Sequence, residues 1–306
     1  MNKGKRLQKG DTIGIVAPAG YSAADKINAA LLNLHTLGYN VKVGEGARRR
    51  WHGYAGTDTE RAREINDFFR DDEVAAILCL RGGYGSIRLL QNVDYRTVRC
   101  NPKIFMGYSD ITALHLAINQ LSELITFHGP MLASNFVEMD HETLASFERT
   151  LTGGDLPEIR NPEDSPLMTL IPGSAEGILI GGNLTTFVSL IGTPYAPDFN
   201  NKILFIEEIG EAAYRIDRML SQLKLAGLFK NVQGIILGDF NDCGPSSPHD
   251  MTLPEVFQDR LGDLGIPIIY NFKSGHCSPM MTLPFGAKAK INGDNATIQI
   301  LERVVD

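Results

Sequence analysis

The sequence predicts an α/β protein in two parts: an N-terminal domain built on a parallel sheet and a smaller, mixed, more β-rich C-terminal domain. Three observations carry this reading. In the first half, short apolar and β-branched runs alternate with segments of helical period. Those runs are continuously apolar, as strands buried on both faces by crossover helices must be. Between the halves, residues 152–174 hold Gly153, Gly154, Pro157, Pro162, Pro166, Pro172 and Gly173 with no sustained period, the pattern of a linker. The expected division is 1–151, a linker at 152–174, and 175–306.

Taken in order, Thr12–Ala17 reads as a buried strand stopped by Pro18 and Gly20. Residues 23–37 place Ile27, Leu31, Leu34 and Leu37 at helical spacing, closed by Gly38. Val41–Val43 is a second strand. Thr57 and Glu60 fit a capping box opening a helix through Phe68 and Phe69. Ala75–Leu80 is a third strand, running into the turn Arg81-Gly82-Gly83-Tyr84-Gly85. Lys103–Met106 is a fourth, followed by a turn and a helix from Ile111 to Leu121. The second half shows strand-like runs at 176–180, 203–207, 234–238 and 267–270, and a helix at 212–225 carrying Ile216, Leu220 and Leu223. A hairpin, Ala287–Ile291 and Ala296–Leu301, closes the chain around Asn292-Gly293-Asp294-Asn295.

The 306 residues are 43% hydrophobic and 21% charged, ordinary for a globular protein, which excludes disordered, collagen-like and coiled-coil chains. A formal net charge of −7 argues against a nucleic-acid-binding surface. There is no apolar run long enough to span a membrane and no secretory leader. Cys79, Cys100, Cys243 and Cys277 are scattered, which reads as reduced thiols in a cytoplasmic protein. Metal-binding spacing is absent, and Arg81–Gly85 matches neither a dinucleotide fingerprint nor a phosphate loop. No cofactor and no metal are expected.

The sharpest local feature is Gly107-Tyr108-Ser109-Asp110-Ile111, a strand running through a Gly-x-Ser turn into a helix. A serine there is held out of the sheet, with the N–H groups of a helix start behind it to steady a developing oxyanion. The final glycine of Gly-x-Ser-x-Gly is missing, and the plain alternative is a helix cap at Ser109 or Asp110. A serine nucleophile needs a base, and the base needs an orienting acceptor. His35 and His115 fall in helical patterns, and His52, His141 and His249 in polar stretches. His128 and His276 follow strand-like segments. Ile203–Ile206 ends on Glu207 and Glu208, which point to opposite faces of a strand. Cys277 beside His276 is a weaker nucleophile candidate, since adjacent side chains seldom face each other. The Arg81–Gly85 loop offers backbone N–H groups for half an oxyanion hole, or is simply a tight turn.

With these segments in hand, the chain resembles the LD-carboxypeptidase family of serine peptidases over nearly its whole length. The resemblance rests on Gly10–Gly20, Arg81–Gly85, Gly107-Tyr108-Ser109-Asp110, His128-Gly129-Pro130, Gly181-Gly182-Asn183-Leu184-Thr185, Phe205-Ile206-Glu207-Glu208, Gly234–Gly238 and Gly275-His276-x-x-Pro279. It implies a Ser109–Glu207–His276 triad, with Glu208 as the alternative acid. It further implies an oxyanion hole from the N–H groups of Gly83 and Asp110, and an active site in the cleft between the domains. Arg81, Tyr84 and Asn183 are the substrate-binding candidates, and Arg88 is a second arginine near the proposed site. The implied activity is release of the terminal D-alanine from murein tetrapeptide in peptidoglycan recycling. The expected enzyme is a cytoplasmic homodimer without nucleic-acid or membrane partners. The runner-up in the family is a microcin-immunity type, which cuts an aminoacyl-nucleotide amide. Chain length and the lack of an obvious aromatic cluster for stacking a base favour the murein reading. Outside the family, a non-catalytic small-molecule-binding protein would not need the three residues to converge, and a nicotinamide dehydrogenase lacks its fingerprint.

Overall fold

Thr12–Val16 (β1) is an interior strand of the first sheet, its residues buried from Ile13 onward, so it needs partners on both edges and cover on both faces. The computed structural model describes residues 1–153 and 158–306. It divides into two compact units, Met1–Asp155 with Thr282–Gly286 and Arg303–Asp306, and Leu156–Met281 with Ala287–Glu302.

In the first unit β1 is followed by α1 (Ala24–Thr36), β2 (Asn40–Val43), α2 (Asp58–Arg70), β3 (Val74–Cys79), α3 (Tyr95–Cys100), β4 (Ile104–Gly107), α4 (Thr112–Ser122), β5 (Thr126–His128), α5 (Leu132–Asn135) and α6 (His141–Leu151). The expected capping box is present: Thr57 accepts from the Glu60 N–H at 3.3 Å, and Glu60 accepts from the Thr57 N–H at 2.9 Å. Five strands run parallel in the order β2-β1-β3-β4-β5. Strand order reverses between β1 and β3, and in such a sheet the crevice for ligands opens at the carboxyl ends of these two strands. The loops there touch, with the Gly20 N–H donating to the Gly82 carbonyl at 3.2 Å.

The second unit comprises β6 (Met168–Ile171), β7 (Ser174–Asn183), α7 (Leu184–Val188), β8 (Lys202–Ile209), α8 (Ala213–Leu225), β9 (Gly234–Asn241), α9 (Leu253–Leu261) and β10 (Ile268–Tyr270). After these, β11 (Leu283–Phe285) belongs to the first unit, and β12 (Lys288–Asn292) and β13 (Thr297–Ile300) to the second. The second sheet is mixed, in the order β13-β12-β7-β8-β9-β10-β6, with β7 to β10 parallel and the other three strands antiparallel to their neighbours. The expected closing hairpin is β12–β13.

Two features depart from the sequence reading. The stretch 152–174 contains β6, which pairs with β10, and Ile159, which bridges to Ile298. Its strand is short and none of its residues is buried, so no apolar period marks it; the part at 154–157 lies outside the described residues. The second departure is that the chain does not divide at one point. Leu283–Phe285 joins the first sheet antiparallel to β5, a three-residue edge strand whose central proline hides it from a strand pattern.

Close strand packing beside β8 demands glycine. Gly181 has φ +139°, and a Cβ there would sit 1.9 Å from the Phe205 carbonyl oxygen on the neighbouring strand. Gly181→Ala is therefore expected to lower unfolding free energy by about 3 kcal/mol or more, through strain and backbone displacement together. A thermal melt and soluble yield check this, and a variant melting with the wild type would contradict it.

Candidate active site

Ser109 stands just past the carboxyl end of β4. Tyr108 is extended, and then Ser109 takes φ +65°, in the left-handed region that side chains other than glycine seldom occupy. A short helical turn, Ser109–Ile111, leads straight into α4. Gly107 is needed just before the turn, since a Cβ there would meet Ile111 at 3.0 Å and Cys79 at 3.1 Å. Its carbonyl is gripped by His115, whose Nε2 lies 2.8 Å away. A carbonyl only accepts, so this nitrogen carries the proton, and burial holds the His115 pKa down at about 4.

The glycine-rich loop rides directly on the serine: a Cβ at Gly82 would lie 2.9 Å from Ser109 Cβ and 3.0 Å from Ser109 Oγ. Gly83 follows at φ +130°. Asp110 ties this loop to the serine turn. Its carboxylate accepts from the Ser86 N–H at 2.8 Å, and its carbonyl accepts from the Ser86 hydroxyl. Burial pushes the Asp110 carboxyl up, opposed by those Ser86 bonds and by Arg61. The Asp110 side chain thus fixes the geometry between the two segments whose N–H groups are the expected oxyanion donors.

In the second unit, Glu207 sits near the end of β8, opposite Asn183 on β7. His276 lies on the loop after β10, and its Nδ1 is 2.7 Å from Glu207 Oε2. The carboxylate is fully buried, while the imidazole keeps 14% of its side-chain surface exposed. Gly275, at φ +116°, is what permits this approach, since a Cβ there would lie 2.7 Å from Glu207 Oε2 and 2.9 Å from its Cβ. The loop is anchored on both sides of the histidine: the Ser274 carbonyl accepts from the Asp239 N–H at 3.0 Å, and the Ser274 hydroxyl donates to the Met281 carbonyl at 2.7 Å. Burial pulls the His276 pKa down, but the hydrogen bond and charge of Glu207 outweigh it, leaving the group raised.

The adjacent acid has a different task. Glu208 is also buried, and it accepts from Asn183 Nδ2 at 2.8 Å and from the N–H groups of Ile209 at 2.9 Å and Thr185 at 2.8 Å. A one-residue bulge interrupts pairing with β9 here, where Ile206 aligns with Leu237 but Glu208 with Phe240. The structure thus pairs His276 with Glu207 and gives Glu208 to the start of α7.

Asn183, expected to touch substrate, has its amide committed inside the protein. Besides holding Glu208, it caps α7 by accepting from the Thr186 N–H at 3.1 Å and hydroxyl at 2.8 Å. Its side chain thus ties Glu208 to the start of α7, and a Gly-Gly-Asn run before a helix carried that capping signal. Arg81 is exposed and donates to the Tyr21 carbonyl at 3.4 Å. Arg88 pairs with Asp58 at 2.8 Å. His128, the other base considered, is fully buried against Tyr108 and Phe285. Tyr84 is exposed, but it is not alone. It packs on Tyr54, which stacks on Trp51. This aromatic cluster corrects the expectation that none exists. Tyr84 lies thirty positions beyond Tyr54 in sequence, so only folding brings it onto the Trp51–Tyr54 pair. Among the described residues, no group of three or more His, Cys, Asp or Glu side chains is placed to hold a metal ion, and no helix is long and apolar enough to cross a membrane.

Comparison with known proteins gives this geometry its context. Residues 13–129 match the LD-carboxypeptidase N-terminal domain and residues 176–291 the LD-carboxypeptidase C-terminal domain. The chain belongs to the LD-carboxypeptidase family. A probable murein peptide carboxypeptidase of Bacillus subtilis is 44% identical over 302 residues, covering 97% of this chain and 94% of that one. The microcin C7 self-immunity protein of Escherichia coli is 34% identical over 329 residues, covering 97% of this chain and 95% of that one. A structure of a microcin C7 self-immunity protein in complex with aspartyl sulfamoyl adenosine matches with a TM-score of 0.94 at 30% identity over 100% of both chains. A muramoyltetrapeptide carboxypeptidase from Oxalobacter formigenes matches with a TM-score of 0.84 at 32% identity, over 96% of this chain and 99% of that one. As an LD-carboxypeptidase family member, the protein is a peptide-bond hydrolase of the serine-peptidase kind, and its two-domain α/β architecture is that of the family.

In this family member, NMR titration of His276 should give a pKa above the ordinary value of about 6.5. Glu207→Gln removes the charge that does most to oppose burial, with only the lesser charges of Glu208 and Asp239 left to counter it, so the pKa should fall. Glu208→Gln should move it less, because the Glu208 charge acts only as a lesser contributor. A larger drop with Glu208→Gln would reverse the assignment of partners.

Proposed function

We propose that this protein is a serine LD-carboxypeptidase that releases the terminal D-alanine from murein tetrapeptide. The observation that carries the reading is the 2.7 Å contact of His276 Nδ1 with Glu207. It fixes the imidazole by one nitrogen and leaves Nε2 as the nitrogen to work as a base, the arrangement a serine peptidase needs. The family membership and the left-handed serine at a strand–turn–helix junction support Ser109 as its nucleophile.

On this reading Ser109 Oγ attacks the carbonyl of the L–D bond at the third residue, and His276 takes the hydroxyl proton. The oxyanion accepts from the N–H groups of Gly83 and Asp110. Collapse of the tetrahedral intermediate breaks the C–N bond, and His276 passes its proton to the departing D-alanine nitrogen. A water then repeats the sequence on the acyl-enzyme and frees the serine. Glu207 holds the ring and stabilises its charged form, and Arg81 is the candidate for the substrate's terminal carboxylate. The enzyme acts in the cytoplasm, where its four free cysteines stay reduced, and as a homodimer.

A second reading has its own support: the likeness to the microcin C7 self-immunity protein, together with an exposed aromatic cluster able to meet a base. On that reading the same residues cut an aminoacyl-nucleotide amide.

Mass spectrometry separates the two. Purified protein with murein tetrapeptide should show loss of one alanine, faster than any cleavage of aspartyl sulfamoyl adenosine; the opposite preference would select the second reading. Ser109→Ala should lower kcat by about 10⁴–10⁶ while leaving the fold intact. Because the base must be neutral to act, kcat/KM should rise as pH climbs through the raised His276 pKa, above about 6.5. Glu207→Gln should lower kcat and also move that acid limb to lower pH. A Ser109→Ala protein with most of its turnover would remove the nucleophile assignment.

A further inference from the structure

A Gly-Gly peptide has no side chain to hold its plane, so Gly82–Gly83 needs a lock from outside if the Gly83 N–H is to keep one direction. The loop after β1 supplies that lock. The Gly82 carbonyl accepts from the Gly20 N–H at 3.2 Å. Carbonyl and N–H of one trans peptide point opposite ways, so the Gly83 N–H is directed away from Gly20 and the β1 loop. β3 lies between β1 and β4 in the sheet. The direction away from β1 is therefore the side of the β4 loop, where Ser109 packs on Gly82. The approach is close enough to require glycine on both loops. A Cβ at Gly20 would lie 3.0 Å from the Gly82 oxygen, and one at Gly83 would lie 3.3 Å from the Gly20 nitrogen.

The lock is itself held from α2. Glu64 and Arg61, both buried and one turn apart, grip consecutive residues of the β1 loop. The Glu64 carboxylate accepts from the Ala17 N–H at 3.0 Å, and Arg61 donates to the Pro18 carbonyl at 2.6 Å. The same guanidinium donates to the Gly85 carbonyl at 3.3 Å and to Asp58 at 2.6 Å. One side chain thus joins the loops that leave β1 and β3. Its Nε has no partner among the described residues. A buried guanidinium with a donor left over is costly, and an apolar side chain of like volume would fill the space at less cost. What the guanidinium alone supplies is a planar fork able to hold two carbonyls and a carboxylate at once.

We propose that Gly20 and Arg61 are positioning residues that aim the oxyanion hole: the Gly20 N–H, held by Arg61 through the β1 loop, fixes the Gly82–Gly83 peptide with its N–H toward the carbonyl that Ser109 attacks. This deepens the serine-peptidase reading and rests on it, because it takes Gly83 as an oxyanion donor. Turned over, the same peptide would present the Gly82 carbonyl, whose negative end repels an oxyanion. The hydrogen bond to that carbonyl also polarises the peptide and strengthens its N–H as a donor.

Steady-state kinetics on the whole chain test this, with murein tetrapeptide and with aspartyl sulfamoyl adenosine, since either substrate would use the same hole. Gly20→Ala keeps the N–H but pushes the loops apart, and no positive φ opposes alanine there. It should lower kcat by about 10–100-fold, part of the 10²–10³ that loss of a whole donor costs. KM should stay within about twofold, because the oxyanion exists only in the transition state. Arg61→Lys, with a single ammonium that cannot span both carbonyls and Asp58, should act alike. The double variant should lose little more than the worse single one, since both act on one peptide. The acid limb of the pH profile should stay at its wild-type position in each variant, as His276 is untouched. If Arg61→Lys does not fold, Gly20→Ala decides. Wild-type kcat in folded variants, or a raised KM with kcat unchanged, would overturn the positioning role and leave the serine-peptidase reading standing. A wild-type protein that cuts neither substrate would instead sink that reading, and the positioning role with it.

Discussion

The constraint on which the second unit turns is a carboxylate buried at the end of an apolar strand. An isolated charge there would be strongly disfavoured, and it persists only with a committed partner. His276 is that partner for Glu207, and much of the local sequence serves the meeting. Gly275 removes the side chain that would stand between them, and Gly181 lets β7 close on β8 just before the acid. The Ser274 bonds hold the loop from which the ring projects. The dependence runs both ways: the acid needs the ring to stay charged, and the ring needs the acid to hold its orientation.

Two neighbouring acids on one strand show how the same residue type takes opposite roles. Strand geometry sends Glu207 and Glu208 to different faces. One meets a titratable imidazole. The other meets N–H donors at a helix start and the Asn183 amide. Those donors hold the Glu208 side chain in place, whereas Glu207 faces a partner that can itself take up or release a proton.

Much of this was legible in sequence, for physical reasons that differ by element. β1 and β3 are buried on both faces and so read as continuous apolar runs. The Thr57–Glu60 box is a local signal and appears where it was expected. The serine turn was visible because a strand, a Gly-x-Ser and a helix are contiguous, and the family resemblance singled out Glu207 and His276, which the fold brings into hydrogen-bond contact. What escaped depends on contacts distant in sequence. β11 is three residues with a proline inside, and it joins a sheet whose other strands lie far earlier in the chain. β6 is half exposed and carries no period. The Trp51–Tyr54–Tyr84 row is assembled from two loops, and each residue alone looks like an ordinary surface aromatic.

Ser109 carries a further consequence. Its left-handed backbone suits glycine, and any residue with a Cβ occupies it at a conformational cost of about 1 kcal/mol or more. On the proposed mechanism the hydroxyl is what keeps a side chain here, so reactivity and backbone ease pull in opposite directions at this position. A lineage that no longer used that hydroxyl would find glycine easier to accept here than at positions of ordinary φ, and a sequence-design procedure scoring backbone conformation alone would favour glycine at Ser109.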